Sequence, residues 1–207
     1  MPIAKETSAP RNPMPAGVFH GICYAVIDLG TQQPLPNSKF NKGPERKVML
    51  MYEFPDERID VERDGVTVNL PRACSRDFTL SLHEKAALRK FLVAWRGVQF
   101  TPEQLKGFDL SAVLGANAMV TIVHNERGYE DIVACAPLMK GMAKRKSENA
   151  TMLYDIETRE VPRSIPEWVR KKIAFSVEHM TPEGGDGLGH EPPPRDSDQF
   201  GDDDIPF

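Results

Sequence analysis

Five stretches of the chain are rich in apolar residues, and in three of them these residues fall on one face at alternate positions, which is typical of β-strands. β-Branched and aromatic residues are frequent within them, as is typical of strands. The predicted strands are residues 18–29, 47–54, 73–82, 116–124 and 129–136. Because strands and helices do not alternate regularly, as they would in a parallel α/β sheet, the sequence predicts a mainly β domain.

Turn-forming residues separate the predicted strands. We expect Pro55 to end the second strand, because proline cannot donate a hydrogen bond to a neighbouring strand. Residues 59–70, centred on Asp64 and Gly65, predict an extra hairpin, since an Asp-Gly pair readily adopts the positive φ of a tight turn. A second turn at residues 125–128 joins the last two strands.

One amphipathic helix is predicted between the third and fourth strands. Ser81 and Glu84 have the spacing of a capping box and are expected to start it, and Gly97 is expected to end it. Trp95 lies on its apolar stripe and is assigned to the core. A second capping box, which begins at Thr101 and has proline at the first helical position, predicts a short helical turn.

The predicted order is therefore strand, strand, strand, helix, strand, strand. This is the order of the OB-fold, a five-stranded, partly open barrel. In that fold the second and third strands bind single-stranded nucleic acid, together with the loops between strands 1 and 2 and between strands 4 and 5. The expected fold class is mainly β with an inserted helical segment, an OB-fold carrying an extra hairpin.

Composition divides the chain into four parts. Residues 1–15 are a proline-rich arm, and residues 16–146 are the predicted barrel with a basic segment at its C-terminal end. Residues 147–179 form an extension with a short helix at residues 165–177. Residues 180–207 are an acidic tail, predicted to be disordered because its glycine- and proline-rich sequence is unable to form a core.

The net charge of −4 conceals an asymmetry between the two ends of the chain. Residues 178–207 carry nine acidic side chains and one basic side chain, a net charge of −8. Residues 1–177 carry 25 Lys and Arg against 21 Asp and Glu, a net charge of +4. A basic body with an acidic tail indicates a body that attracts polyanions.

Several classes of protein are disfavoured by what the sequence lacks. Cys23, Cys74 and Cys135 are odd in number and widely spaced, which argues against a disulfide framework and against a zinc ribbon. Neither a secretory signal nor an apolar run long enough for a membrane span occurs, so we expect a cytoplasmic protein with no membrane partner. The five histidines are scattered and no catalytic motif is present, so we expect no enzyme activity, no catalytic residue, no metal site and no cofactor.

The chain ends in three carboxylates, an Ile-Pro pair and a phenylalanine with a free α-carboxylate. This string resembles the C-terminal tip of bacterial single-stranded DNA-binding proteins. In that family the tip docks on replication, recombination and repair enzymes, with its phenylalanine in an apolar pocket and its carboxylates against basic residues. The resemblance implies that the partner-binding residues are Asp202, Asp203, Asp204, Ile205, Pro206 and Phe207.

The body is longer than the barrel of those bacterial proteins and has a helical insertion after the third strand. It is more similar to the divergent single-stranded DNA-binding proteins of bacteriophages, which also pair an OB-fold with an acidic, Phe-ended tail. The resemblance implies a phage protein that uses host partners in the bacterial cytoplasm during DNA replication, recombination or repair. Whether it forms a homo-oligomer stays open.

Aromatic side chains that stack on bases, with cations that follow the phosphates, are the chemistry expected of such a body. The aromatic candidates are Phe40, Tyr52, Phe54, Phe78 and Tyr129. The cationic candidates in the first long loop and on the strands are Lys39, Lys42, Arg46, Lys47, Arg72 and Arg76. The basic segment at residues 137–146, expected to be mobile, adds Lys140, Lys144, Arg145 and Lys146.

Two alternatives remain open at the level of sequence. Stacking and phosphate contacts do not distinguish the two sugars well, so the body is also compatible with an RNA-binding OB-fold. The second alternative is an adaptor that recruits partners through its tip and binds no nucleic acid. An unstructured oligonucleotide in a gel-shift experiment separates this adaptor from a nucleic-acid-binding protein.

Overall fold

The computed structural model describes residues 12–34, 43–63 and 65–180, and these form a mainly β structure with a few short helices. The strands are β1 (Gly17–Gln32), β2 (Glu45–Arg63), β3 (Val66–Thr79), β4 (Asn117–His124), β5 (Glu130–Ala136) and β6 (Met152–Tyr154). The helices are α1 (Ala87–Arg96), α2 (Pro102–Lys106) and α3 (Glu167–Ala174), with 3-10 turns at Leu110–Val113 and Ile156–Thr158. No helix in this described part has the length and apolar character needed to cross a membrane.

The six strands form one sheet, in which five strands follow the order β3-β2-β1-β4-β5 with antiparallel neighbours along this path. β6 pairs in parallel with β1 at residues 25–27, beyond the part of β1 that β4 reaches. Within the described residues no ladder joins β3 to β5, so the sheet is not closed. The Arg76 side chain of β3 instead donates to the carbonyl oxygens of Ile132 and Val133 on β5, at 2.7 and 3.0 Å. The arrangement is compatible with a partly open barrel.

The main core fills the inner side of this sheet, where α1 packs against it. Phe91 and Trp95 of α1 meet Phe78 and Tyr52 of the sheet, with ring centroids 4.8 Å apart for Phe78 and Phe91 and 5.5 Å apart for Tyr52 and Trp95. The Trp95 indole also donates to the carbonyl oxygen of Asn117, at 3.1 Å. The assignment of Trp95 to the core is therefore confirmed.

A second apolar cluster covers the outer side of β1 and β2. Its members from the sheet are Ala25, Ile27, Leu29, Met49 and Met51, and its members from the C-terminal extension are Tyr154, Ile156, Ile165, Val169 and Ile173. After α3 the chain returns to the end of β1, where the Val177 amide donates to the carbonyl oxygen of Thr31 at 2.9 Å. Residues 152–177 are thus packed onto the sheet.

The prediction that Pro55 ends the second strand is wrong, because β2 continues to Arg63. Pairing with β1 has already stopped at Glu53, and the β2–β3 ladder is irregular between Phe54 and Arg58, so no neighbouring strand requires an amide hydrogen at Pro55. The predicted extra hairpin is consequently the far end of the β2–β3 ladder. Gly65 has a φ of 77°, as expected for its turn.

The predicted start of the helix is also wrong, whereas its predicted end is confirmed. α1 begins after Ala86, which provides no side-chain cap, and the Ser81 hydroxyl accepts from the His83 amide in a local turn instead. Gly97 ends the helix with a φ of 69°, in the left-handed region that favours glycine. The second capping box forms as predicted at Thr101.

Candidate nucleic-acid interface

A basic strap, which we define as residues 140–149, crosses the sheet between β5 and β6 and carries four of the predicted cations. The side chains of Lys140, Lys144, Arg145 and Lys146 are all exposed. The three lysines form no ion pair with any residue in the described part of the chain. Exposed ammonium groups of this kind are available to phosphate oxygens.

Two anchors hold the C-terminal half of the strap, so the expectation of a mobile segment is wrong at its C-terminal end. The buried Glu53 carboxylate accepts from the amides of Glu148 and Asn149, both at 2.8 Å, and from the Asn149 side chain at 2.7 Å. Asn117 and the Arg145 backbone exchange two hydrogen bonds, at 2.8 and 3.0 Å. The Arg145 guanidinium also pairs with Asp56 at 2.6 Å. Arg145 is thus attached to the sheet, and Lys144 and Lys146 are its neighbours in the chain.

The Glu53 anchor leads to a stability prediction. Replacing Glu53 with alanine should lower the free energy of unfolding by about 3 kcal/mol, because two backbone amides lose a charged acceptor in partly buried hydrogen bonds. Chemical denaturation measures this loss. Glu62→Ala on the exposed end of the same strand is the matched control and should change the free energy of unfolding by less than about 0.5 kcal/mol. Equal unfolding midpoints for the two variants would contradict the anchoring role.

Arg46 and Lys47, at the start of β2, are already paired with carboxylates. Two guanidinium nitrogens of Arg46 donate to one oxygen of Asp28, at 3.0 and 2.5 Å. This hydrogen bonding to Asp28 raises the pKa of Arg46 above its ordinary value. Lys47 binds Glu45 at 2.8 Å and the Thr79 hydroxyl at 2.8 Å. Both cations therefore have protein partners that compete with phosphate.

Arg72 and Arg76, on β3, connect separate parts of the chain. Arg72 donates to the carbonyl oxygen of Asn12 at 2.6 Å and so fixes the chain that precedes β1. The Arg76 guanidinium, which bridges to β5, also lies 4.9 Å from the centre of the Phe78 ring and 5.6 Å from that of Phe91. These contacts are structural, and they account for both side chains without a nucleic acid.

Three predicted stacking residues are buried, which corrects their assignment to a binding face. The exposed fraction of the side chain is 0% for Tyr52, 0% for Phe54 and 3% for Phe78. All three point inward with Val48 and Leu50, and burial raises the pKa of Tyr52 well above its ordinary value. The alternation on β2 was recognised, but the aromatic residues lie on its inner face, so a base has no access to these rings.

Of the remaining candidates, Tyr129 is half-buried beside the β4–β5 turn. Lys39, Phe40 and Lys42 lie outside the described residues, as does the C-terminal string of Asp202, Asp203, Asp204, Ile205, Pro206 and Phe207.

Trp168 on α3 is an exposed aromatic residue that was not among the predicted stacking residues. Its side chain is 45% exposed, and the Lys172 ammonium lies 5.3 Å from the centre of its ring. The buried residues Ile165, Val169 and Ile173 recur every four positions and put Trp168 on the flank of the helix. That spacing was the signal in the sequence that could have identified Trp168 as exposed.

Comparisons with protein-family models, with curated proteins and with solved structures find no match to this chain.

The arrangement offers cations and one exposed indole rather than a reactive centre. In the described ranges, no group of three or more His, Cys, Asp or Glu side chains is placed to hold a metal ion. The outer side of β1 and β2 is covered by the extension, and the basic strap and the exposed side of α3 are accessible parts of the described surface. Such a surface can bind a polyanion by charge and can stack a flat ring.

Proposed function

We propose that the protein binds single-stranded DNA without sequence specificity and recruits replication, recombination or repair enzymes through its C-terminal tip. The observation that carries this proposal is the C-terminal Asp-Asp-Asp-Ile-Pro-Phe string on a chain whose first 177 residues have a net charge of +4. Large apolar groups at a charged terminus gain nothing in water, which supports burial of this end by another protein. On this proposal the protein is phage-encoded, acts in the host cytoplasm and has no catalytic role of its own.

An OB-fold is the finer description that we propose for the barrel. The strand order β3-β2-β1-β4-β5, with α1 between β3 and β4, agrees with that fold. The Arg76 bridge, which brings β3 next to β5, is also consistent with a barrel that is closed at this edge by a side chain. In such a barrel the surface beside the strap and α3 is the route that we propose for the DNA.

We expect binding to single strands to exceed binding to duplex and to fall steeply with salt. Each neutralised phosphate releases counterions. A plot of the logarithm of the affinity against the logarithm of the salt concentration should therefore have a slope of about −0.7 per phosphate contact. A fluorescent oligonucleotide titrated at several salt concentrations measures both properties. Equal affinity for duplex and single strand would contradict the proposal.

A matched pair of triple variants tests the strap within the same titration. Replacing Lys140, Lys144 and Lys146 together with alanine should reduce the salt slope by about 2, since three contacts are lost. The control replaces three other exposed lysines, in the helical segment between β3 and β4, and removes the same charge. These are Lys85, Lys90 and Lys106. Similar slopes for the two triple variants would show that the strap does not bind the phosphates.

The same titration distinguishes the two alternatives. Tighter binding to an RNA oligonucleotide than to DNA of the same sequence would favour an RNA-binding protein. Absence of binding to either, with partner recruitment intact, would favour an adaptor that acts only through its tip.

A further inference from the structure

Trp168 exposes much of a large apolar side chain on a helix that is otherwise well packed. Ile165, Val169 and Ile173 fix one side of α3 against the outer side of β1 and β2. The indole takes no part in that cluster and is 45% exposed. Its burial is therefore not what holds the helix on the sheet, and the exposed ring requires a different explanation.

The ring lies beside a lysine that is ion-paired with the sheet. The Lys172 ammonium, one turn further along α3, lies 5.3 Å from the ring centre and 2.7 Å from a carboxylate oxygen of Asp77 on β3. Through this shared ammonium, Trp168 is placed beside the outer side of β3. A ring on a supported helix loses little conformational freedom when a ligand binds to it, which favours binding.

The chain around the ring is cationic. Residues 159–172 carry five Lys and Arg side chains against two carboxylates. One of these carboxylates, Glu167, pairs with Lys171 at 3.0 Å. Asp77, which lies on β3 outside this range, pairs with Lys172. Arg163 is exposed and forms no ion pair with any other described residue. The charge complements an anionic ligand, and the indole complements one that also has a flat aromatic surface.

The position of α3 matters for the route of a strand across the barrel. α3 and the turn before it cover Met49 and Met51 on the outer side of β2, so these side chains are closed to a ligand. A polymer that crosses this side of the sheet must contact the extension instead of the strand. The exposed side of α3 then takes over the part of the surface that β2 would otherwise provide.

We propose that Trp168 stacks on a base of single-stranded nucleic acid, with the neighbouring cations on its phosphates. This inference rests on the proposed function and names a binding residue for it. Loss of the stacking contact with one base should weaken binding about tenfold.

The protein contains two tryptophans, of which Trp95 is buried and Trp168 is exposed, so intrinsic fluorescence reports on the site. Titration of the full chain with an oligothymidylate should quench the emission. Trp168→Ala should bind about tenfold more weakly and lose the quenching. Trp168→Phe should retain most of the affinity, because a ring remains, but should also lose the quenching. Val98→Ala, which shortens an exposed side chain after α1, is the control and should behave as wild type.

The outcomes separate this inference from the proposed function. If Trp168→Ala binds the oligonucleotide as tightly as the wild type does, and the wild type shows no quenching, the stacking role would be overturned while DNA binding would stay intact. If the emission is quenched when the protein concentration is raised without oligonucleotide, the indole contacts a second copy of the chain. This result would also overturn the inference. Failure of the wild type to bind any oligonucleotide would overturn both. Equal thermal unfolding of the Trp168 variants and the wild type establishes that the fold is retained.

Discussion

Replacing Trp95 with alanine is expected to lower the free energy of unfolding by about 4 kcal/mol. The Trp95 side chain is 5% exposed, and its ring centre lies 5.5 Å from that of Tyr52 and 6.4 Å from that of Phe91. Truncation would remove these contacts, leave a cavity between α1 and the sheet, and deprive the Asn117 carbonyl of its indole donor. Urea denaturation, followed by circular dichroism because the variant lacks the reporter indole, measures the change.

The exposed tryptophan provides the control for this experiment. Trp168→Ala removes the same side chain from a half-exposed position and should cost less than about 1 kcal/mol of unfolding free energy. Similar losses for the two variants would contradict the assignment of Trp95 to the core and of Trp168 to the surface. A Trp95→Phe variant should recover part of the stability, because a smaller ring refills part of the cavity.

Strands and turns were predictable where runs of apolar residues are bounded by turn-forming residues. β1, β4 and β5 lie close to their predicted bounds, and the glycines at positions 65 and 128 adopt the positive φ values expected at their turns. The second capping box was equally predictable, since its two hydrogen bonds join residues three positions apart. These features depend on local sequence only, which explains why they agree with the structure.

The orientation of β2 was not predictable from its own residues. Tyr52 and Phe54 on one face, and Met49 and Met51 on the other, are all buried, because α1 covers the first face and the C-terminal extension covers the second. A strand that is buried on both sides has no apolar pattern that tells which face contacts solvent. The aromatic residues were therefore assigned to a binding face, although they belong to the core.

The strap and its anchor illustrate a second limit. Glutamate is a residue type expected at a solvent-exposed position, yet Glu53 is buried. Its carboxylate accepts from two backbone amides that lie about a hundred residues later in the chain. A contact of that separation leaves no trace in local periodicity. The same applies to the pairing of Arg46 with Asp28. Arg46 was predicted to bind phosphate, but its guanidinium is paired with this carboxylate.

Deletion of residues 202–207 is expected to abolish recruitment of enzymes that bind the tips of bacterial single-stranded DNA-binding proteins. The deletion removes three side-chain carboxylates and the terminal aromatic residue. Phe207→Ala should have most of the same effect, because a buried aromatic anchor usually dominates the affinity of a short peptide. Recruitment is measured with such an enzyme and immobilised full-length or variant protein.

DNA affinity should not fall when this segment is deleted, and at low salt it should rise. The described chain ends close to the end of β1, where the Glu178 carboxylate accepts from the amide and hydroxyl of Thr31 at 2.8 and 2.7 Å. The tail therefore starts beside the sheet, and residues 178–207 carry a net charge of −8. A tethered polyanion at high local concentration competes with phosphate for the same cations, and salt screens this competition.

The matched measurement compares the oligonucleotide affinities of the full-length protein, the deletion and Phe207→Ala at about 50 and 300 mM salt, which roughly halves the screening length. Phe207→Ala keeps every side-chain carboxylate, so it should lose recruitment while its DNA affinity stays at the wild-type value. An unchanged low-salt affinity in the deletion would exclude competition by the tail but leave docking intact. A deletion that lost DNA binding would place the tail within the binding site, and the separation into a DNA-binding body and a partner-binding tip would be wrong.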